Sequence, residues 1–225
     1  MENFRPVKNT APSSLIGKII FFGRMVLDFQ ILTIFHDLKK TVPGFRGDVL
    51  DVGCGQSPYR FLLNPETANY FGIDIVDAEK FDYANKEITP FNGSEIPFSD
   101  EKFDCLICTE VLEHVYEFET LISEMRRVLK HNGIGIITIP WSARYHYIPY
   151  DFFRYTRSSL EKMFTEFSSV QIKSRGSDIS VIANKLIVLW MRNLLPKTLW
   201  KFFLAPLWLL FIPMPAFAVL TAHLC

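Results

Sequence analysis

The sequence lacks net charge, because its 24 lysine and arginine residues balance its 24 aspartate and glutamate residues. A protein that binds a nucleic-acid duplex usually presents a basic surface that neutralises phosphates. We therefore predict no nucleic-acid partner. The 225 residues suffice for one domain of catalytic size with an appendage, since domains cluster at about 100 to 200 residues.

Cysteine is scarce, with four residues at positions 54, 105, 108 and 225. The pair in "CLIC" offers a redox or metal spacing only superficially. The surrounding run "FDCLICT" predicts a strand, and residues three apart on a strand point to opposite faces, so Cys105 and Cys108 should not meet. No cluster of cysteine, histidine and acidic residues has zinc spacing either. We predict structural cysteines and no metal.

We expect no secretory leader at the amino terminus. The stretch "MENFRPVKNTAPSS" is polar and has no basic start followed by an apolar core and a small-residue cleavage site. The cysteine pattern fits a reducing compartment. We expect a cytoplasmic protein.

Apolar strands alternate with amphipathic helices through the middle of the chain. This alternation predicts an α/β fold with a doubly wound, mostly parallel Rossmann-like sheet and helices on both faces. The predicted strands are 48–53, 69–77, 87–90, 102–110, 133–141 and 169–175. The predicted helices are a short one at 60–63 and longer ones at 117–133 and 157–167, where Gly133 would end the second.

Two apolar segments flank this region, so we divide the chain into 1–40, 41–177 and 178–225. The first contains one amphipathic helix, predicted over 13–40, with basic residues at Lys18, Arg24, Lys39 and Lys40. The middle segment is the catalytic-size domain, and the last is an apolar appendage.

The appendage has no charge between 202 and 222, just enough length to cross a bilayer. Three prolines, Pro206, Pro213 and Pro215, would break a spanning helix, so we favour a broken helix or hairpin lying in the membrane interface. Basic residues just before it favour the cytoplasmic face. The alternative is that the tail packs on its own domain or on a partner subunit.

The stretch "VLDVGCGQSPY", at 49–59, is a strand that enters a glycine turn, the place where α/β proteins hold nucleotides. A dinucleotide fingerprint needs a third glycine, and Pro58 stands there, which disfavours a nicotinamide cofactor. Asp74, at the end of the next strand, could accept hydrogen bonds from both hydroxyls of a ribose. The pattern predicts an adenosine-type ligand.

The ordered set "VLDVGCGQSPY", "GIDI", "IPFSDEKFDCLICTEVLEHV" and "EMRRVLKHNGIGIITIPW" resembles the class I S-adenosylmethionine-dependent methyltransferases, in particular the group with an "EVLEH" signature. The resemblance covers roughly 49–141 in consecutive register. It implies a Rossmann-like fold, methyl transfer and S-adenosylmethionine as cofactor. The stretch "HYIPYDFFRYT" is similar to a subset associated with cell-surface polysaccharide or lipid-linked glycan synthesis.

The resemblance also implies roles for single residues. Asp51 and the loop residues Gly53, Cys54 and Gly55 would lie beside the methionine half of the cofactor. Asp74 would bind the ribose hydroxyls, with Ile75 next to it. Asn92 stands where the family often has an aspartate beside the adenine amino group. Glu110 would lie beneath the cofactor, while Glu113 and His114 would brace the following turn, with His114 a substrate-binding candidate.

Methyl transfer is an in-line displacement, so the enzyme must hold the acceptor behind the methyl group and exclude water. A hydroxyl acceptor also needs a base. We predict His146 as this base, oriented by Asp151, in the loop "WSARYHYIPYDFFRYT", with Arg154 and Tyr155 binding the substrate. Arg154 would bind a phosphate or carboxylate on the acceptor. Alternatively the loop is a cofactor lid in which Asp151 and Arg154 form an ion pair.

The two apolar segments suggest a peripheral enzyme at a membrane surface that methylates a glycan or lipid-linked acceptor. A soluble small molecule or a quinone-like lipid ring is the alternative acceptor. A second class of function stays open: a non-catalytic methyltransferase-fold module, tethered to a membrane, that serves interactions. Family members usually end in an antiparallel strand pair, and the only candidate for the last strand is the apolar run at 217–224.

Overall fold

The computed structural model describes residues 9–75 and 88–194. The chain divides into two compact units, one made of residues 1–17 and 36–172 and the other of residues 18–35 and 173–225. The first unit contains the sheet and every residue of the candidate site. The three segments inferred from the sequence, 1–40, 41–177 and 178–225, stay a prediction.

Five parallel strands form the sheet of the first unit in the order β3-β2-β1-β4-β5. The doubly wound α/β class is therefore confirmed. Strand order reverses at β1, and in such sheets ligands bind outside the carboxyl ends of the strands at this point. The strands are β1 (Gly47–Val52), β2 (Ala68–Ile75), β3 (Ile88–Phe91), β4 (Phe103–Thr109) and β5 (Leu129–Thr138).

Within residues 9–75 and 88–194, five α-helices and three 3₁₀ turns accompany the strands. The helices are α1 (Leu15–Arg24), α2 (Phe29–Thr41), α3 (Phe118–Val128), α4 (Arg157–Met163) and α5 (Asp178–Leu194), and the turns are Val42–Gly44, Arg60–Leu62 and Leu112–His114. None of the helices in the described ranges combines the length and the apolar character that a membrane crossing requires.

The leading helix is interrupted, so its prediction as one helix was wrong. Helix α1 ends at Arg24, and a turn closed by hydrogen bonds from Met25 and Val26 to preceding carbonyls follows. Asp28 then accepts a hydrogen bond from the backbone N–H of Ile31 at 3.3 Å. A carboxylate in this position satisfies a free N–H at a helix start, and α2 begins at Phe29.

The boundary between α3 and β5 also differs from the prediction. The helix ends at Val128, and Leu129 already pairs with Phe103 of β4. Gly133 therefore lies inside a strand and does not end the helix. The periodicity of apolar residues cannot show where the helix ends. The boundary depends on the pairing of β5 with β4, and this pairing has a register shift after Phe103.

The strand predicted at 169–175 was also wrong, because this stretch has no regular secondary structure. Its apolar and polar residues alternate as in a strand, but this stretch pairs with none of the described strands. The predicted membrane tail and the predicted last strand at 217–224 lie outside the described residues.

The apolar stripe of α3 packs on the sheet as its spacing predicts. Leu121, Ile122, Met125 and Val128 are buried in one cluster with strand residues such as Leu50 and Ile73. Cys105 and Cys108 are buried free thiols of β4, so the prediction of structural cysteines is confirmed for these two.

Leu121→Ala should lower the free energy of unfolding by about 2 to 5 kcal/mol, because a fully buried leucine leaves a cavity. Leu15→Ala, on the exposed side of α1, serves as the control and should stay within about 0.5 kcal/mol. Urea unfolding followed by circular dichroism measures both. Equal effects of the two substitutions would contradict this account of the core.

Candidate functional site

The glycine turn after β1 follows a path that only glycine permits. Gly53 has φ +67°, and a Cβ there would lie 2.4 Å from Cγ2 of Val111. Gly55 has φ +52°. The turn therefore packs its backbone directly against the segment that follows β4, at the carboxyl ends of the strands.

Asp74 holds this turn from the neighbouring strand. Its Oδ2 accepts a hydrogen bond from the N–H of Gly55 at 2.7 Å, and its Oδ1 accepts one from the N–H of Ile75 at 2.8 Å. Burial raises the pKa of Asp74, although these two hydrogen bonds oppose the shift. A carboxylate has about four acceptor positions, so two remain for a ligand.

Asp51, the last but one residue of β1, is buried and only half satisfied. Its Oδ2 accepts a hydrogen bond from the Tyr70 hydroxyl at 2.8 Å. Its Oδ1 has no hydrogen-bond partner among the residues that the structure describes. Burial raises the pKa of Asp51 to about 7, and the nearby charge of Asp74 adds to the shift. The Tyr70 hydroxyl also lies 2.9 Å from Oγ of Ser57, so it ties the strand end to the turn.

Asn92 uses its side-chain oxygen within its own turn. Oδ1 accepts hydrogen bonds from the N–H groups of Ser94 at 3.0 Å and Glu95 at 2.7 Å. The residue is exposed at the end of β3. An adenine contact through this oxygen would compete with the turn, and the role of Asn92 stays a prediction.

Glu110 follows β4 in the left-handed region, with φ +55°. Its backbone N–H donates to the carbonyl of Thr138 at 2.9 Å, and the Thr138 hydroxyl donates to Oε1 of Glu110 at the same distance. These bonds fasten the start of the "EVLEH" turn to the end of β5.

The loop after β5 contains a compact network of His146, Asp151 and Arg154. Oδ2 of Asp151 lies 3.0 Å from both the backbone nitrogen and Nδ1 of His146. The Arg154 guanidinium donates to both carboxylate oxygens of Asp151, at 2.6 and 2.9 Å. Burial would raise the pKa of Asp151, but the hydrogen bonds from Arg154 and from His146 together hold it below its usual value.

His146 has a defined tautomer in this network. Nδ1 also lies 2.7 Å from the carbonyl oxygen of Arg144. Because a carbonyl only accepts, Nδ1 must carry the proton, and in the neutral ring Nε2 then has a lone pair. The predicted orientation of His146 by Asp151 therefore matches the geometry, although the catalytic role itself stays a prediction.

The 3₁₀ turn Leu112–His114 meets the same loop. Its backbone accepts hydrogen bonds from the Tyr155 hydroxyl, at the Leu112 carbonyl, and from the N–H of Phe152, at the Glu113 carbonyl. The rings of His114 and His146 lie 4.7 Å apart in an edge-to-face arrangement. Burial lowers the pKa of His114 to about 4.

Glu113 is the most unusual group of the site. Its side chain is fully buried, and neither carboxylate oxygen has a hydrogen-bond partner in the described part of the chain. Burial raises its pKa well above the usual value, and the charge of Glu110 adds to this. The nitrogen Nε2 of His114 lies 3.6 Å from Oε1.

The structure thus assembles two groups of predicted residues at the ends of the strands. The first group surrounds the glycine turn, and the second connects the segment after β4 with the loop after β5. In the second group Arg154 contacts Asp151, and Tyr155 contacts the Leu112 carbonyl. The sequence did not reveal Tyr70 as a partner of Asp51, and it predicted Glu113 only as a brace of the "EVLEH" turn. Only the folded structure shows the neighbours of these two side chains, since the motifs around them do not specify which distant residues they meet.

The segment that contains the candidate site is similar to known proteins. Residues 50–137 match the family model described as "Methyltransferase domain", which spans β1 to β5 and both turns of the site. This segment is therefore similar to a methyltransferase domain. The match supports the predicted kind of enzyme, and a relative named as a probable S-adenosylmethionine-dependent methyltransferase supports the predicted cofactor.

The relatives of this segment match only part of this chain and only part of their own length. An uncharacterized protein of Methanocaldococcus jannaschii is 29% identical over 52% of this chain and 52% of its own. A probable S-adenosylmethionine-dependent methyltransferase of Mycolicibacterium smegmatis is 28% identical over 41% and 38%. The mitochondrial ubiquinone biosynthesis O-methyltransferase of Homo sapiens is 30% identical over 49% and 35%. The chain thus spans about half or less of the length of these relatives.

The raised pKa of Asp51 predicts a pH dependence of stability. The unfolded carboxyl ionises near its ordinary pKa of 3.8 and the folded one near 7, so this contribution to stability is present below pH 4 and is lost as pH rises to 7. Relative to Asp51→Asn, the wild type should lose up to about 4 kcal/mol of unfolding free energy over this range. Urea unfolding at a series of pH values measures it.

Glu66→Gln, which removes an exposed carboxyl, is the control and should change little with pH relative to the wild type. A constant difference between the wild type and Asp51→Asn from pH 4 to pH 8 would show that Asp51 keeps an ordinary pKa.

Proposed function

We propose that this protein transfers the methyl group of S-adenosylmethionine to a hydroxyl of an amphipathic acceptor at a membrane surface. The observation that supports this most strongly is the pair of buried carboxylates beside the glycine turn, one of which has an oxygen without a hydrogen-bond partner among the described residues. We also assign the chain to the group with the "EVLEH" signature, since the residues of that signature, 110–114, form the turn that packs against Gly53.

The residues around the turn fit the cofactor. S-adenosylmethionine supplies an activated methyl group on a sulfonium. Oδ1 of Asp51 is a buried acceptor suited to the ammonium of its methionine half. The backbone at Gly53 lies so close to Val111 that no side chain would fit there. Asp74 retains acceptor positions for the ribose hydroxyls.

His146 would accept the proton of the acceptor hydroxyl. Its Nδ1 proton is held by the Arg144 carbonyl and Asp151, so Nε2 is the basic atom. Arg154 is bound to Asp151 through two hydrogen bonds and therefore positions the base through that carboxylate. This arrangement favours the ion-pair alternative for Arg154 over direct binding of an acceptor phosphate.

An O-methyl acceptor is supported by the relatives named as ubiquinone biosynthesis O-methyltransferases, from Homo sapiens and from Rickettsia prowazekii. These names favour a hydroxyl on a quinone-like lipid ring as a second candidate beside a lipid-linked glycan. Both candidates are amphiphiles.

Helix α1 supports a location at the membrane surface. Its large apolar side chains are exposed, led by Leu15 at 76% and Ile16 at 70%. Ile19, Ile20 and Phe22 are also exposed, and Lys18 adds a positive charge between them. A surface helix with exposed apolar residues and lysine is suited to the interface of anionic lipids.

Calorimetric titration with S-adenosylmethionine, S-adenosylhomocysteine and NAD tests the cofactor site. We expect binding of the first two and none of NAD. Asp74→Ala should weaken S-adenosylmethionine binding about 10- to 100-fold, as the loss of hydrogen bonds to a charged group implies. Asp48→Ala, at the opposite end of β1, should bind like the wild type.

Failure of the folded full chain to bind either adenosyl compound would overturn the proposed activity and favour the non-catalytic, membrane-tethered interaction module. Binding without turnover on quinone-like, lipid-linked and soluble hydroxyl acceptors would point the same way. Transfer of a radiolabelled methyl group to one of these acceptors identifies the acceptor class.

Flotation with anionic phospholipid vesicles tests the membrane location. We expect the full chain to float, and Ile16→Ser with Ile19→Ser to weaken binding at least about tenfold, because each buried isoleucine contributes up to about 1.5 to 3 kcal/mol. Ile134→Ser with Val170→Ser removes two exposed apolar residues elsewhere and should have little effect. Equal losses in both pairs, or no flotation of the wild type, would refute the role of α1.

A further inference from the structure

We propose that Glu113, His114 and His146 bind one divalent transition-metal ion, for which zinc is the best candidate. The ligands would be a carboxylate oxygen of Glu113 and the Nε2 atoms of both histidines. This site goes beyond the cofactor site, and the expectation from sequence spacing was that no metal is bound.

The first argument is the carboxylate of Glu113. It is fully buried, and neither oxygen has a hydrogen-bond partner within the described ranges. Buried carboxylates in proteins are normally paired, hydrogen-bonded or bound to a metal, because burial without compensation is costly. Its neighbours in the chain and in the loop after β5 are histidines, which are the commonest metal ligands among side chains.

The second argument is the orientation of the two imidazoles. Nδ1 of His114 lies 2.6 Å from the carbonyl oxygen of Tyr150. Nδ1 of His146 lies 2.7 Å from the carbonyl of Arg144 and 3.0 Å from Asp151. Both rings must therefore donate from Nδ1, which leaves a lone pair on each Nε2. Histidines that bind metals show this outer arrangement, with the far N–H on a carbonyl or a carboxylate.

The third argument is distance. One ligand atom from each of the three residues lies within 4.8 Å of the other two. Zinc bonds of about 2.0 to 2.2 Å place tetrahedral ligand atoms roughly 3.3 Å apart. Small rotations of the side chains, which shorten the longest separation by about 1.5 Å, would close the site.

The charges around the cluster also favour a cation. Glu110, Asp151 and Arg154 act electrostatically on Glu113. Arg154 is neutralised by its bidentate pair with Asp151, so the carboxylate of Glu110 is the net charge of these three groups, and it is negative.

Two histidines and one glutamate are a ligand set of catalytic zinc sites, in which the remaining position takes water or substrate. On the basis of the proposed function, that position would take the acceptor hydroxyl and lower its pKa, so that the proton is released to solvent water and the resulting alkoxide attacks the methyl group. Nε2 of His146 would then be a ligand and would not act as the base. The metal and the base role are alternatives for this one atom.

Cobalt(II) is the probe for the site, because its visible absorption bands report coordination by nitrogen and oxygen. The full chain, stripped with a chelator, should bind one equivalent of Co²⁺, and Zn²⁺ should displace it. Glu113→Gln and His146→Gln should each weaken Co²⁺ binding by more than about 100-fold, since loss of an outer partner alone costs about 10- to 100-fold. His131→Gln, which removes an exposed histidine of β5, should bind like the wild type.

Absence of a saturable cobalt spectrum in the wild type, or an unchanged spectrum in Glu113→Gln, would overturn the metal site. If the variants fail to fold, the melting temperature of the wild type tests the proposal. A metal that binds the folded protein raises this temperature, so the absence of a rise with Zn²⁺ would overturn the proposal. Titration of the same metal-free protein with S-adenosylmethionine separates the two proposals, since cofactor binding without cobalt binding removes only the metal.

Discussion

The close approach of Gly53 to Val111 is the contact on which the site depends. At this point the chain leaves β1 with φ +67° and passes so near the segment after β4 that a Cβ would overlap the valine side chain. The ends of two neighbouring strands are thereby held against each other. The acidic residues near the ends of β1 and β2 and the "EVLEH" turn then occupy one edge of the sheet, where strand order reverses.

The buried carboxylates at this edge differ in how far the protein satisfies them. Asp151 has hydrogen bonds to both oxygens from Arg154, and Asp74 has one to each oxygen from backbone N–H groups. Among the described residues, one oxygen of Asp51 has a hydrogen-bond partner and neither oxygen of Glu113 has one. Satisfied carboxylates rigidify the loops, whereas unsatisfied ones cost stability. Folds tolerate such costs chiefly where a ligand or a reaction needs the group.

Local patterns predicted a large part of the fold. The five strands and the apolar face of α3 could be predicted from the spacing of apolar residues and from the turn residues that follow each element. Both signals lie within a few neighbouring positions of the sequence. The break at Asp28 and the early start of β5 at Leu129 were missed. The first depends on a single side chain that accepts a backbone hydrogen bond, and the second depends on pairing with Phe103, which lies far away in the sequence.

By itself the sequence determined the α/β class and the glycine turn with its acidic neighbours Asp51 and Asp74, because short local patterns encode both, and its resemblance to methyltransferases indicated the cofactor. The tertiary structure decided which atoms of these residues are engaged. It showed that Asn92 closes its own turn and that Arg154 binds Asp151, and it brought Glu113 together with His146. Hydrogen-bond partners and close neighbours come from distant parts of the chain, and only the folded arrangement of strands and loops brings them within bonding distance.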